Sequence, residues 1–450
     1  MSDKHMYRLN AVNSRRKRRL LWPILIVFLI GVVVAIGFVA YKAPEAIKVK
    51  TPATKDQPIT LNVKAKSAIV VDLTTGQVLG EKNPDKQAAI ASESKLLVAY
   101  GVLKAVQDHK INWTDQVTIP ASADLSSQDS NAISHLNMKA GDKVSVHDLY
   151  WSMFTNSAND AALSLTAFLT PSGSTSQDTL EGWAKDLNLT DSAWYNGAGL
   201  KNGDALGSQI SSESSSAANH ASASQVAQIA NQVLAMDPSL KTVTSSATIT
   251  YTKNKTTKVT DTSGFGQQFA NIVKGLNNPN GLQLLGLKTG STPEAGACFT
   301  GYVVDKNGHE FLTVVNDAAD YTDNKVRFQT TLDMVDQVLA KEQAHTFNAG
   351  DQVSGQKTLA IKGDKAKAAV EIANTKTYWT KTNKKIQVKT IGELKEKPAA
   401  DSLATLAYGQ VNLKGKFLPN STSHQKDLPL TLLHSSDQTA QSTSSQSSAK

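Results

Sequence analysis

Ser92 stands three residues before Lys95 in "IASESKLLVAY", a segment that reads as a helix start behind a strand pair. On a helix that spacing puts both side chains on one face, within reach of each other. A serine hydroxyl is a poor nucleophile until an adjacent base takes its proton. A lysine that is partly desolvated and near a second cation is neutral enough to be that base. The helix start adds backbone N–H groups and a positive dipole end where an oxyanion would develop. Spacing alone says little here, because Ser-x-x-Lys recurs at Ser14–Lys17, Ser354–Lys357, Ser423–Lys426 and Ser447–Lys450. Context separates Ser92 from those, although an ordinary N-cap serine with a solvated lysine would look the same locally.

Two further motifs carry chemistry. Ser157-Ala158-Asn159 is the single Ser-x-Asn of the chain and falls in a polar break between helical stretches. It offers a second hydroxyl to relay a proton, and an amide to hold Lys95 and a substrate amide. Lys288-Thr289-Gly290 is the single Lys-Thr-Gly, on a strand-like segment "LQLLGLKTG". Lys288 supplies a cation and Thr289 a hydroxyl for a carboxylate. Gly290, lacking Cβ, lets a ligand backbone lie close. The N–H of Ser291 is a second oxyanion donor. Each motif also has a bland reading, as a helix cap or a strand-end turn. Their occurrence together, in the order Ser-x-x-Lys, Ser-x-Asn, Lys-Thr-Gly, favours one site.

The elements that must position these residues are legible in outline. "SAIVVDLTTGQVLGEKN" (67–83) alternates Ile69, Val71 and Leu73 before a turn at 74–76 and reads as a hairpin. Residues 91–110 and 222–236 have helical spacing, 144–169 reads as two helical stretches, and 325–341 as a closing helix. Residues 282–317 are strand-like with an Asn307-Gly308 turn, so Cys298 is expected in a core strand. The Ser/Ala/Gly-rich stretch 203–222 is expected as a mobile loop. Short alternating stretches from 346 to 433 predict a small all-β domain, and the Ser/Thr/Gln-rich residues 434–450 a disordered tail.

Charge and length set the outer limits. The chain has 450 residues and a formal net charge of +8, of which residues 1–19 supply seven Lys/Arg against one Asp. The remainder is nearly neutral, which excludes the broad basic footprint of a nucleic-acid binder. One cysteine excludes an internal disulfide framework and a multi-cysteine metal cluster. Residues 20–41 carry no charge and are long enough, as a helix, to cross a bilayer. The basic tail 1–19 would stay cytoplasmic, placing the rest outside the membrane. A cleaved signal peptide is the alternative, against a long apolar run and a poor small-residue cleavage pattern. Residues 42–60 read as a stalk, 61–345 as the catalytic domain.

With its three motifs in this order, the sequence resembles the low-molecular-mass penicillin-binding proteins, serine-type D-alanyl-D-alanine carboxypeptidases. The hairpin at 67–83, "NSANDAA", "YNGAGL" (195–200), the 220–234 segment and "GLKTGSTPEAGACF" all carry the likeness, over about 60–433. The resemblance implies an α+β fold, an antiparallel sheet with helices on both faces. To that the residues themselves add the small all-β domain behind it and one transmembrane helix in front. It implies Ser92 as nucleophile, Lys95 as base, Ser157 as relay and Asn159 as a positioner. It implies Lys288, Thr289 and Gly290 as the carboxylate-binding strand, and the N–H groups of Ser92 and Ser291 as the oxyanion hole. The implied substrate is a peptidoglycan stem peptide, with β-lactams as inhibitors and no metal or organic cofactor. The implied location is the bacterial cell membrane. Many members carry histidine where Ser291 stands.

Other readings share parts of this pattern. Class A β-lactamases deacylate through a glutamate in Glu-x-x-Leu-Asn, and here Ala184 precedes Leu187-Asn188 at that position. A D,D-endopeptidase or transpeptidase would carry the same three motifs. A wall-binding scaffold without chemistry is disfavoured by intact Ser92, Lys95, Ser157, Asn159 and Lys288.

Overall fold

The computed structural model describes residues 57–433, apart from 137, 246–247, 262–264, 355–356, 382–385, 391–392, 400–401, 414 and 420–426. The apolar run 20–41, the basic tail, most of the stalk and the terminal tail lie outside the described residues. Among the described residues no helix is long and apolar enough to cross a membrane.

One six-stranded sheet organises the first part of the chain. Its strands are β1 (Ile59–Thr60), β2 (Ser67–Asp72), β3 (Val78–Lys82), β4 (Gln283–Thr292), β5 (Gly296–Val304) and β6 (Glu310–Asn316), in the order β1-β3-β2-β6-β5-β4. All neighbours are antiparallel except the short β1, which runs parallel to β3. Strand β2 buries all six residues, as a strand covered on both faces must. Ile69 and Val71 face one core; Ala68 and Val70 face the other.

Helices α1 (Lys95–Gln107), α2 (Val146–Thr155), α3 (Asn159–Leu169) and α5 (Ala223–Met236) build the first core with Ile69 and Val71. Helix α4 (Ser176–Asp186) packs outside α1, where the Trp183 ring occupies the space a Cβ on Gly101 would need. Helices α6 (Phe265–Lys274) and α7 (Val326–Leu339) cover the opposite face, joining Phe299, Phe311 and Phe328. The local signals behind these helices are caps: Ser145 accepts the Asp148 N–H, and Ser222 with Gln225 and Thr175 with Asp178 form capping boxes.

One expectation needs correction: Ser92 sits not in the helix but in a 3-10 turn, Ala91–Ser94, that leads into it. Helix α1 is buried nearly all round, from Lys95 through Leu103. The stretch 203–222 is largely irregular and carries side-chain-to-backbone hydrogen bonds at both ends. Asn202 accepts the Ile210 N–H at 2.8 Å and donates to Ile210 O at 2.9 Å, while Asn219 accepts the Tyr195 N–H at 2.7 Å.

Beyond α7 come β7 (Glu342–Phe347), β8 (Thr358–Ala360), β9 (Lys367–Ile372), β10 (Lys376–Lys381), β11 (Val388–Thr390), β12 (Ala407–Val411) and β13 (Leu428–Leu432). They form a two-stranded sheet, β7-β10, and a five-stranded sheet, β8-β9-β13-β12-β11, around their own apolar core.

Candidate active site

Ser92 and Lys95 lie three residues apart across the 3-10 turn, a geometry that stacks positions i and i+3 directly. Lys95 is fully buried. Its Nζ meets Ser92 Oγ at 2.8 Å, Asn159 Oδ1 at 2.7 Å and Ala198 O at 2.9 Å. The last two are obligate acceptors, whereas a hydroxyl can accept or donate. A neutral Lys95 therefore donates to Asn159 and Ala198 and turns its lone pair to the Ser92 proton. Burial holds Lys95 well below the ordinary lysine range and the charge of Lys288 pushes the same way, against Asp160.

The backbone at this turn is tight. Ala91 has a φ of 47°, and Gly199 a φ of 77°. A Cβ on Gly199 would stand 1.9 Å from Ala91 O, so "YNGAGL" closes against the serine turn only through glycine. Asn196 fixes that loop, accepting the Gly199 N–H at 2.9 Å and donating to Leu200 O at 2.7 Å.

Ser157 and Asn159 come from the α2–α3 junction. Ser157 has a φ of 59°, a left-handed conformation uncommon for serine. The two residues that follow anchor it there: Ala158 N–H donates to Ser152 O at 3.1 Å and Asn159 N–H to Ser134 O at 2.9 Å. Lys288, from β4, donates to Ser157 Oγ at 2.9 Å and to Thr289 O at 2.9 Å. Burial draws Lys288 down to about 7, with Arg327 adding to the shift and Glu93 opposing it.

Ser92, Ser157, Asn159, Lys288, Thr289 and Ser291 all line one cleft of about 460 Å³. Lys95 stands beneath it. Gly290 has a different use from the one its type suggested. A Cβ there would meet Ile90 O at 2.5 Å, so the glycine seats β4 against the serine turn rather than against a ligand. Ala184 is buried in α4 and does not line the cleft.

Two residues of the site escaped the sequence reading. Arg327, 2% exposed, donates to Gly290 O at 2.8 Å, Ser291 Oγ at 2.7 Å and Cys298 O at 3.1 Å. Glu93, also buried, accepts from Thr300 Oγ1 at 2.6 Å. The available signal was a charge on a buried stripe. Arg327 shares its helix face with Thr331 and Val335, and Glu93 stands between Ser92 and Ser94 just ahead of the apolar run 96–100. Cys298 is buried and its thiol donates to Ala295 O at 3.2 Å.

Fold and site together set a serine hydroxyl against a buried lysine in a cleft of an α+β scaffold. Residues 51–320 match the family model described as D-alanyl-D-alanine carboxypeptidase, and the chain belongs to that family of serine-type hydrolases. It is 27% identical over 320 residues to D-alanyl-D-alanine carboxypeptidase DacD of Salmonella typhimurium, covering 70% of this chain and 73% of that one. A shorter match, 33% over 140 residues, links it to D-alanyl-D-alanine carboxypeptidase DacC of Escherichia coli, over 31% of this chain and 35% of the relative. The fold is that of a peptidoglycan synthesis regulatory factor, PBP3, from Streptococcus pneumoniae: TM-score 0.65, 22% identity, 83% of this chain and 99% of that one. Penicillin binding protein 5 from Haemophilus influenzae shares it at a TM-score of 0.56 and 21% identity, over 83% of this chain and 98% of that one.

Proposed function

We propose that the chain removes the terminal D-alanine from peptidoglycan stem peptides through an acyl-enzyme on Ser92. The observation that carries this reading is the fully buried Lys95, bonded at once to Ser92 Oγ, Asn159 Oδ1 and Ala198 O. Ser92 Oγ attacks the carbonyl carbon of the penultimate D-alanine, and its proton passes to neutral Lys95. The oxyanion is received by the N–H groups of Ser92 and Ser291. Collapse breaks the C–N bond, and Lys95 passes the proton it took from Ser92 by way of Ser157 to the leaving amine. Neutral Lys95 then takes a proton from the attacking water and delivers it to Ser92 Oγ as the ester bond breaks. Asn159 positions the substrate amide; Lys288 and Thr289 hold the terminal carboxylate. β-Lactams acylate Ser92 by the same attack.

The uncharged run 20–41 behind its basic flank supports a membrane anchor with the N-terminus inside, and the catalytic segment 61–345 outside. The β segment 346–433 follows as a second domain, and 42–60 spans the gap as a stalk. The test is release of free D-alanine from a diacyl peptide ending in D-Ala-D-Ala, by the full chain and by Ser92→Ala. Release by the unmodified chain alone supports the reading. No release by the folded chain, with peptide dimers cleaved instead, would replace it with an endopeptidase.

A further inference from the structure

The mechanism uses two buried lysines and leaves two buried acids without a task. Each acid directly follows a motif residue: Asp160 follows Asn159, and Glu93 follows Ser92. Asp160 is cradled by backbone, accepting the N–H groups of Leu136 at 2.9 Å and Ala161 at 2.9 Å, and its charge acts on Lys95. Glu93 lies on the other side of the serine turn, against the strands that carry Lys288.

Its placement there is specific. Glu93 Oε1 accepts from Thr300 Oγ1 at 2.6 Å, and Thr300 is the cross-strand partner of Lys288. With the Asn316 amide turned to satisfy its neighbours, its nitrogen lies 3.2 Å from Glu93 Oε2. A Cβ on Gly290 would stand 3.4 Å from Glu93 Cγ, so the side chain passes directly beneath the Lys-Thr-Gly strand. The charged and titratable groups that interact with it are Lys288 of β4, Arg327 of α7 and Cys298 of β5. Lys288 in turn acts on Lys95 at the start of α1, and Asp317, beyond β6, acts on Cys298. Three basic side chains, Lys95, Lys288 and Arg327, therefore converge on the site, and Glu93 is the acid set among the last two.

We propose that Glu93 is a positioning residue for the carboxylate-binding half of the site: fixed by Thr300, it supplies the buried counter-charge that keeps a proton on Lys288 beside Ser157. The proposal rests on the carboxypeptidase reading for its consequence, because a protonated Lys288 is what an anionic substrate terminus needs. Burial pushes Glu93 up and Lys288 down, and each one's charge opposes the push on the other. Two groups coupled in this way titrate as one pair, which loses its last proton as pH rises. Without the Glu93 charge, Lys288 faces Arg327 and burial unopposed and sheds its proton at lower pH.

The experiment compares the full chain with Glu93→Gln and Thr300→Val, the latter removing only the hydroxyl that holds the carboxylate. D-Alanine release is measured across pH. Glu93→Gln should move the alkaline limb of kcat/KM down by about one pH unit or more. Its KM at neutral pH should rise about tenfold, with kcat at saturation changed far less. Thr300→Val should move both in the same direction by less. In parallel, the side-chain NMR titration of Lys288 is followed without substrate; its midpoint should fall in both variants. An unchanged midpoint and limb in folded Glu93→Gln, or in Thr300→Val should Glu93→Gln not fold, would overturn the proposal. A wild-type chain that releases no D-alanine would fail the carboxypeptidase reading, while the Lys288 titration would still decide the role of Glu93.

Discussion

Lys95 has three partners and no water-accessible surface, so its proton balance is set by the protein alone. A lysine placed this way loses its charge more readily than one in solvent, and the acylation base is the neutral form. The pH dependence of kcat/KM should therefore be bell-shaped. Activity falls on the acid side as Lys95 gains a proton and can no longer take one from Ser92. It should fall on the alkaline side as the proposed Glu93–Lys288 pair loses its last proton. In the proposed mechanism bound substrate places an anion beside Lys288 and raises its affinity for the proton, so the alkaline limb of kcat should lie higher than that of kcat/KM. A flat alkaline side up to pH 10 would contradict this assignment. Lys95→Ala should slow acylation by a labelled penicillin roughly 10²–10⁴-fold, the usual worth of a general base. Stopped-flow fluorescence would measure it.

At the scale of elements, the site is a seam between the serine turn, the α2–α3 junction and strand β4. Gly290 and Gly199 make the seam possible, since a Cβ at either would collide with the backbone oxygen of Ile90 or Ala91. Gly290→Ala should cost about 1–3 kcal/mol by urea unfolding, the usual cost of overpacking. It should also slow acylation, because β4 must move away from Ser92. Gly199→Ala adds strain at a left-handed position and should cost more.

The three motifs were legible in the sequence because each is local, and type and spacing within four residues suffice to mark it. The helix pair 146–155 and 159–169, the 67–82 hairpin and the closing helix were legible by periodicity. What escaped is non-local. Arg327 reaches Ser291 and Gly290 only because α7 packs on β5, and the partner of Gly290 is a carbonyl 200 residues earlier in the chain. The 249–253/257–261 hairpin was missed because its text is Thr/Lys-rich with few apolar residues, whereas α6 carries helical spacing at 265, 269, 272 and 273 that was legible and went unread. The hydrogen bonds around 203–222 were not legible because two asparagine side chains, not an apolar pattern, make them.

At the scale of the whole molecule, the β segment is stitched to the β2–β3 hairpin of the main sheet. Gln77 pairs its side-chain amide with the Trp379 backbone, at 2.8 Å to the carbonyl and 3.0 Å from the N–H. The Trp379 ring is buried with Phe311, donates to Asp72 Oδ1 at 3.2 Å and completes the second core. Val78 N–H bonds Lys416 O at 2.8 Å, and Lys416 Nζ reaches Glu81 Oε2 at 2.7 Å. Trp379→Ala should thus cost about 3–5 kcal/mol, as large aromatic truncations do in cores. The site lies at the β4 end of the same sheet, so D-alanine release by the surviving folded fraction should be unchanged. Thermal unfolding and kcat measured together would check this. A fall in kcat without a fall in Tm would instead tie the β segment to catalysis. The account stands or falls on the covalent chemistry of Ser92. The most direct measurement is peptide mass mapping of the full chain after brief exposure to a β-lactam. The predicted result is one adduct, carrying the mass of the intact β-lactam, on the peptide containing Ser92 and absent from Ser92→Ala. A folded chain that forms no adduct, or forms it on another residue, would contradict the account.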